Sequence, residues 1–286
     1  MSSRLPSWFR RPLPPGGTGG RVKQLLANYA VHTVCEGAQC PNRPECWHHA
    51  TAAFMILGDA CTRDCRFCAV PHDGSPPPPD PAEPTQLAAA AADMQLRHVV
   101  VTSVTRDDLP DGGAGQFAAT IHALRARIPG VTVEVLIPDF QGDRAALDIV
   151  LAARPDILNH NLETVARLQK IVRPQADYAR SLDVLQTAAQ AGTRIKSGLM
   201  LGMGETEAEI ITALRDLRAA GVTLLTLGQY LAPSAAHHPV ARYVTPEEFD
   251  AWGHQARLLG FTSVASAPQA RSSYHAEELF FAEAAP

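Results

Sequence analysis

No uninterrupted apolar run in the 286-residue sequence approaches the roughly 18 residues that a membrane-spanning helix needs. No apolar core of a secretory signal stands near its start either. The chain is therefore expected to be a cytoplasmic globular protein with no membrane partner. A basic surplus is also missing. Lys and Arg number 25 against 29 Asp and Glu, a net charge of −4, so the bulk balance points to no nucleic acid. Acidic residues are absent before Glu36: the charged residues ahead of Cys35 are Arg4, Arg10, Arg11, Arg21 and Lys23. Such a start fits an organelle transit peptide, but Pro6, Pro12, Pro14 and Pro15 would break the amphipathic helix those peptides use. No cysteine is left over from a pattern. All six fall within 34 residues as two triplets, and without a secretory signal they belong in a reducing compartment, where metal ligation is expected over disulfides.

Hydrophobic residues make up 46% of the chain and charged residues 19%, enough for one large core. Length alone allows roughly two domains or a single α/β barrel, of which the barrel is simpler. An apolar run at 50–57 reads as a buried strand, and strand patterns follow at 97–103, 131–137, 157–161, 194–201 and 223–229. Helical patterns at 84–95, 116–128, 144–153, 165–172, 178–191, 205–220 and 246–259 separate or follow them, with another at 21–30. Six strands alternating with helices predict a parallel sheet with right-handed crossovers, and six units rather than eight predict a partial barrel. The seven prolines between Pro71 and Pro84 predict an extended surface connection inside that rhythm. Parallel β/α folds place their chemistry at the carboxyl ends of the strands. The polar segments here follow that rule at Thr102–Asp108, Pro138–Asp139, Asn159–Glu163, Gly202–Glu205 and Gln229–Tyr230.

The cysteine spacings carry the chemistry. Cys35, Cys40 and Cys46 form CxxxxCxxxxxC, and Cys61, Cys65 and Cys68 form CxxxCxxC, both expected on loops around the first strand. A structural zinc site wants four protein ligands, so either triplet would need a recruit such as His32, His48 or His49. A [4Fe–4S] cluster held by three thiolates keeps one iron open for a small molecule or a weak fourth ligand. The CxxxCxxC run, with Phe67 directly before its last cysteine and a strand before its first, resembles the radical S-adenosylmethionine (SAM) motif. That resemblance implies that the open iron chelates SAM, whose reductive cleavage gives a 5′-deoxyadenosyl radical. Asn161, Glu163 and Arg173 are then candidates for the polar ends of SAM, Arg173 offering its carboxylate a planar fork. By residue type each could equally be a helix cap or a surface ion pair. Asp107 and Asp108 have the same ambiguity as cap or turn residues, and His237 and His238 read as loop histidines.

The first triplet narrows the family. Thr33–Asn42 with Glu45-Cys46 closely resembles the auxiliary-cluster motif of lipoyl synthases, and further matches run along nearly the whole chain. They include Asn159–Thr164, Val172-Arg173-Pro174, Lys196–Met200, Leu227–Leu231 and Arg271-Ser272-Ser273-Tyr274-His275-Ala276. The segment Ala267–Ala270 ahead of the last run is less apolar than the resemblance leads one to expect. The resemblance implies an N-terminal extension (1–49), a radical SAM partial (β/α)6 barrel (50–260) and a C-terminal extension (261–286), the extensions carrying an auxiliary cluster. It also implies two [4Fe–4S] clusters with SAM as cofactors and sulfur insertion at C6 and C8 of an octanoyl chain. Implied partners are octanoylated lipoyl-domain proteins (2-oxoacid dehydrogenase E2 subunits and the glycine cleavage H protein) and a reductant such as flavodoxin or ferredoxin, the enzyme itself being a monomer. Ser273 would be the fourth ligand of the auxiliary cluster beside Cys35, Cys40 and Cys46. Without the resemblance, a serine ahead of the helical stretch 274–281 would read as an N-cap. The basic lead is expected to pack over the auxiliary triplet. Biotin-synthase-like and methylthiotransferase enzymes lack the pairing of the first triplet with Arg-Ser-Ser-Tyr. A non-enzymatic electron carrier would saturate its clusters with protein ligands, and formation of 5′-deoxyadenosine would exclude it.

Overall fold

The computed structural model describes residues 5–10 and 18–278. The chain enters through helix α1 (Thr18–Asn28), strand β1 (His32–Thr33) and two short helices, α2 (Val34–Gly37) and α3 (Arg43–His48). A regular alternation follows: β2 (Ala53–Ile56), α4 (Glu83–Asp93), β3 (His98–Ser103), α5 (Ala114–Arg127), β4 (Thr132–Leu136) and α6 (Arg144–Ala152). It continues with β5 (Ile157–Asn159), α7 (Ala166–Val172), α8 (Tyr178–Gln190), β6 (Arg194–Leu201), α9 (Glu207–Ala219), β7 (Leu224–Gln229), α10 (Pro246–Leu258) and β8 (Ser263–Ser266).

One sheet holds all eight strands in sequence order. β2 to β8 are parallel, each lying beside its predecessor, while β1 pairs antiparallel with β2 through His32–Met55 and Thr33–Phe54. The strands are apolar because helices cover their outer face: every residue of β2 and β7 is buried. The fold is α/β, a partial barrel, with the six expected strands as β2 to β7. The structure adds β1 and β8 at its edges. β1 has two residues and β8 reads Ser-Val-Ala-Ser, too short and too polar to announce themselves in sequence.

Helix starts follow local capping chemistry. Thr206 and Thr245 open α9 and α10 with reciprocal capping boxes to Glu209 and Glu248, and Asp143 and Asp177 cap α6 and α8. The cysteine segment departs from expectation. Cys35 lies in α2 and Cys46 in α3, leaving Cys40 on the loop between them. The Thr33 hydroxyl accepts from the Glu36 amide to start α2, and Pro44 sits where a helix first turn tolerates it.

Below the strand ends the barrel interior holds charge. Lys196 Nζ donates to Glu134 Oε1 at 2.8 Å, Asn159 Nδ2 reaches the same oxygen at 3.3 Å, and His98 Nε2 stands 3.3 Å from Oε2. Lys196 and Glu134 are both fully buried. Burial alone would raise the Glu134 carboxyl, but Lys196 and His98 hold it below the usual carboxylate range.

Candidate active site

The loop after β2 begins with a turn that only a few residues tolerate: Leu57 and Gly58 have φ of 70° and 91°. Glu83, delivered by α4 after the proline-rich connection, accepts from the Leu57 amide at 2.9 Å and from the Gln116 side chain at 2.8 Å. Arg106 carries out a second clamp. Its fork is bidentate on Asp108 at 2.8 Å, and the same guanidinium reaches the carbonyls of Leu57 and Pro76. The connection is extended and mostly exposed, as its prolines require, with Pro76 its buried anchor.

The CxxxCxxC loop is then pinned on three sides. Cys61 forms a parallel bridge with His72, and its sulfur accepts from the amides of Arg63 at 3.4 Å and Thr105 at 3.3 Å. Arg63, inside the motif, points into the protein. Nε and Nη2 donate to Asp107 at 2.6 and 2.8 Å, and Nη2 to Asp139 at 2.6 Å. Burial works against both charges, yet their pairing pushes Arg63 up and holds Asp139 at about 2. On the third side the loop after β7 folds back. His237 Nε2 lies 3.1 Å from the Cys68 carbonyl, and the His238 amide donates to the Arg66 carbonyl at 2.8 Å.

Sequence reasoning missed Arg63; His237 and His238 lie on a loop as expected, but their contacts with the motif loop were not foreseen. Asp107 and Asp108 lie in a turn, one of the readings their types allow, and there they pair with Arg63 and Arg106. A signal for Arg63 existed in the acidic run Asp107-Asp108 and in Asp139, which need buried cations. The histidines gave none.

A cavity of about 510 Å³ opens at the strand ends. Its wall includes Cys35 and Cys40 from the first triplet, all of Cys61, Cys65 and Cys68, Phe67, Asn161, Glu163 and Arg173, and Arg271, Ser272 and Ser273 from the far end of the chain. Cys46 stands behind the wall, close enough for Cys35 and Cys40 to act on its charge. Burial pushes the Cys35 and Cys65 thiols up and takes Cys46 and Cys68 to about 12. Cations at these sulfurs would remove that penalty, so the donors suit metal ligation. Among the described residues no three His, Cys, Asp or Glu side chains converge on a single-ion site. An iron–sulfur cluster takes each thiolate on a different iron, so ligands that border a cavity suit it.

Strand β5 runs into Asn161 and Glu163. Glu163 has φ 68° and extends the β6 ladder by bonding the Gly198 carbonyl and the Met200 amide. Burial pushes its carboxyl above the usual range, against Arg173 and Arg271. Arg173 is buried, donates to the Asn161 carbonyl at 3.2 Å, and faces the Cys65 sulfur. Neither Glu163 nor Arg173 forms the surface ion pair their types allow.

The C-terminal segment crosses β7 at Gly228, where a Cβ would stand 2.1 Å from the Ala270 carbonyl oxygen. It is tied to the cysteine-bearing start of the chain. Asn42 Nδ2 donates to the Gln269 carbonyl at 2.7 Å and Tyr274 Oη to Glu45 at 2.8 Å. Gln269 Nε2 reaches the Trp8 carbonyl at 3.0 Å, so the described part of the basic lead packs on this segment. Arg4 and Arg11 lie outside the described residues. Ser272 and Ser273 occupy a turn and the next helical residues begin at 276, so Ser273 does not cap them. Residues 279–281 of the expected helix 274–281 lie outside the described residues.

Residues 55–217 match the Radical SAM superfamily. Curated relatives include the lipoyl synthase of Pelodictyon phaeoclathratiforme, 54% identical over 98% of this chain and 95% of its own length. That of Methylococcus capsulatus is 56% identical, over 96% and 86%. Among solved structures, Streptococcus suis SuiB bound to S-adenosylmethionine superposes with a TM-score of 0.60 at 10% identity, over 79% of this chain and 53% of that one. The FeFe-hydrogenase maturase HydG from Carboxydothermus hydrogenoformans gives 0.60 at 15%, over 79% and 55%. These two likenesses concern the fold.

Proposed function

Because this chain belongs to the lipoyl synthase family within the Radical SAM superfamily, we propose that it inserts two sulfur atoms, at C6 and C8, into an octanoyl chain carried on a lysine of a lipoyl-bearing protein. The observation that carries this reading is the shared cavity, whose wall holds the CxxxCxxC triplet, Cys35 and Cys40 of the first triplet and the Arg271–Ser273 turn. A radical source and a sulfur source must both reach the same aliphatic chain, and one cavity allows it.

In this reading Cys61, Cys65 and Cys68 each hold one iron of the radical cluster. Asn161 and Glu163 receive the amino end of SAM, Arg173 its carboxylate, and Phe67 gives an apolar wall. Cys35, Cys40, Cys46 and Ser273 hold the auxiliary cluster, joining extensions 1–49 and 261–286 over the barrel of 50–260. With these groups bound, the site has an electron and adenosyl source for C–H cleavage and a store of sulfide for insertion. A serine hydroxyl ligates poorly until deprotonated; iron and the neighbouring Arg271 charge favour its alkoxide, which remains easy to displace. Met55, Val70, Leu136, Leu199, Met200 and Leu231 line the space between, an apolar surface for the octanoyl chain that keeps water from the reacting carbons.

The partners in this reading are octanoylated 2-oxoacid dehydrogenase E2 subunits and glycine cleavage H protein, with flavodoxin or ferredoxin as reductant and the cytoplasm as compartment. No helix among the described residues is long and apolar enough to cross a membrane. Mass spectrometry of an octanoylated lipoyl-domain peptide after anaerobic incubation with enzyme, SAM and reductant tests the proposal. The expected product carries two sulfurs in place of two hydrogens; unmodified peptide beside abundant 5′-deoxyadenosine would refute it.

A further inference from the structure

Asn161 sits at a junction between two parts of the site. Its Nδ2 donates to Glu163 Oε1 at 3.2 Å and to Ser272 Oγ at 2.7 Å, a bond across 111 residues of sequence. Both amide hydrogens are therefore used. The opposite atom, Oδ1, is buried and has no hydrogen-bond partner, and it lies where a Cβ on Gly198 would be 3.0 Å away. A buried amide with an unpaired oxygen is costly, and nothing on the oxygen side fixes which way the amide is turned. A ligand ammonium beside Glu163 would supply the missing donor. Once Oδ1 accepts from it, the amide is locked with Nδ2 toward Ser272.

Ser272 in turn sets its neighbour. Residues Arg271 to Tyr274 form one turn closed by the Tyr274 amide on the Arg271 carbonyl at 3.0 Å, and Arg271 Nη1 donates to the Ala270 carbonyl at 2.7 Å just above Gly228. Within so short a turn, the anchor on Ser272 fixes the direction in which Ser273 points.

We propose that Ser272 is a positioning residue that couples the strand-end site at Asn161 and Glu163 to the turn bearing Ser273, so that an adenosyl ligand's ammonium group in the first orders the second. The proposal rests on residues 159–163 being the SAM site. Coupling is reciprocal: the ordered turn must also raise affinity for the ligand, and loss of one neutral hydrogen bond weakens binding about 5-fold.

The test uses anaerobic, fully reconstituted enzyme at matched iron content, SAM without reductant, and hydrogen exchange read by mass spectrometry. In the unaltered enzyme SAM protects both 159–163 and 267–276. In Ser272→Ala protection of 159–163 persists, protection of 267–276 is lost, and the SAM Kd rises about 5-fold. Ser272→Thr, which keeps the hydroxyl, retains both protections. Protection of 267–276 surviving in Ser272→Ala overturns the coupling, as does its loss in Ser272→Thr, which would assign the effect to packing. Protection of 159–163 without 267–276 in the unaltered enzyme overturns the coupling alone. Absence of protection at 159–163 refutes the SAM assignment and the coupling with it.

Discussion

Arg63 Nη2 meets Asp139 Oδ1 at 2.6 Å, joining the interior of the CxxxCxxC loop to the carboxyl end of β4 by a buried ion pair. The contact ties a loop rich in cysteine and short of apolar side chains to the barrel.

Removing one partner of that pair leaves the other charged in a buried site. Asp139→Asn is expected to cost about 3–5 kcal/mol and to lower iron bound by the radical triplet. Asp139 is held at about 2, below its unfolded value near 3.9, so its contribution is complete above about pH 4 and disappears as pH falls toward 2. Denaturation midpoints and iron per chain measure both effects; an unchanged midpoint would show the pair to be dispensable.

The two cysteine triplets have separate tasks in the proposed reaction. Cys65→Ala should abolish SAM cleavage. Cys40→Ala should leave some cleavage and give no sulfur-bearing product. Quantifying 5′-deoxyadenosine and lipoyl peptide in the same reactions separates these outcomes, and lipoyl product from Cys40→Ala would contradict a sacrificial auxiliary cluster.

Ser273→Ala is expected to retain SAM cleavage and lose most sulfur insertion, with Ser272→Ala milder. The check is lipoyl product per enzyme at a temperature where both variants stay folded. Equal, near-normal yields would remove Ser273 from the ligand set.

His160 is buried, with Nδ1 at the Ile137 carbonyl and Nε2 at Ser181, and burial lowers its pKa to about 4. The unfolded chain, with His near 6.5, binds more protons between these values, so stability falls as pH drops from 6.5 toward 4. His160→Gln should lose about 1 kcal/mol less than the unaltered protein between pH 7 and 5.5. Paired denaturation curves at the two pH values decide it; parallel losses would mean that His160 is already charged in the fold.

Lys196→Met strands the Glu134 carboxylate inside the barrel and should cost about 3–5 kcal/mol, whereas Glu134→Gln with Lys196→Met should recover much of that loss. Urea midpoints of the single and double variants test this, and additive losses would rule out direct coupling.

Strands β2 to β7 were legible because a parallel sheet covered by helices favours short apolar stretches between helical patterns, as at Val99–Val101 and Leu224-Leu225. The CxxxCxxC run was legible from spacing and from the strand before it. What escaped depends on contacts between distant segments. Arg63 looks like a surface arginine until Asp107 and Asp139 stand beside it, and His237 gains meaning only when its loop folds onto Cys68. The short helices α2 and α3 were hidden because helices of four and six residues are too short to show a periodicity. The Asn161–Ser272 bond was beyond any local reading.

The tie between Asn42 and Gln269 spans 227 residues. A ribosome adding about 5–20 residues per second needs roughly 10–45 s to make the second after the first. Throughout that interval Cys35, Cys40 and Cys46 are already synthesised while the segment that covers them does not yet exist. The CxxxCxxC loop, by contrast, gains Arg63's partners Asp107 and Asp139 early. The two triplets therefore mature on different clocks, and iron delivered to the first during translation meets an unfinished enclosure.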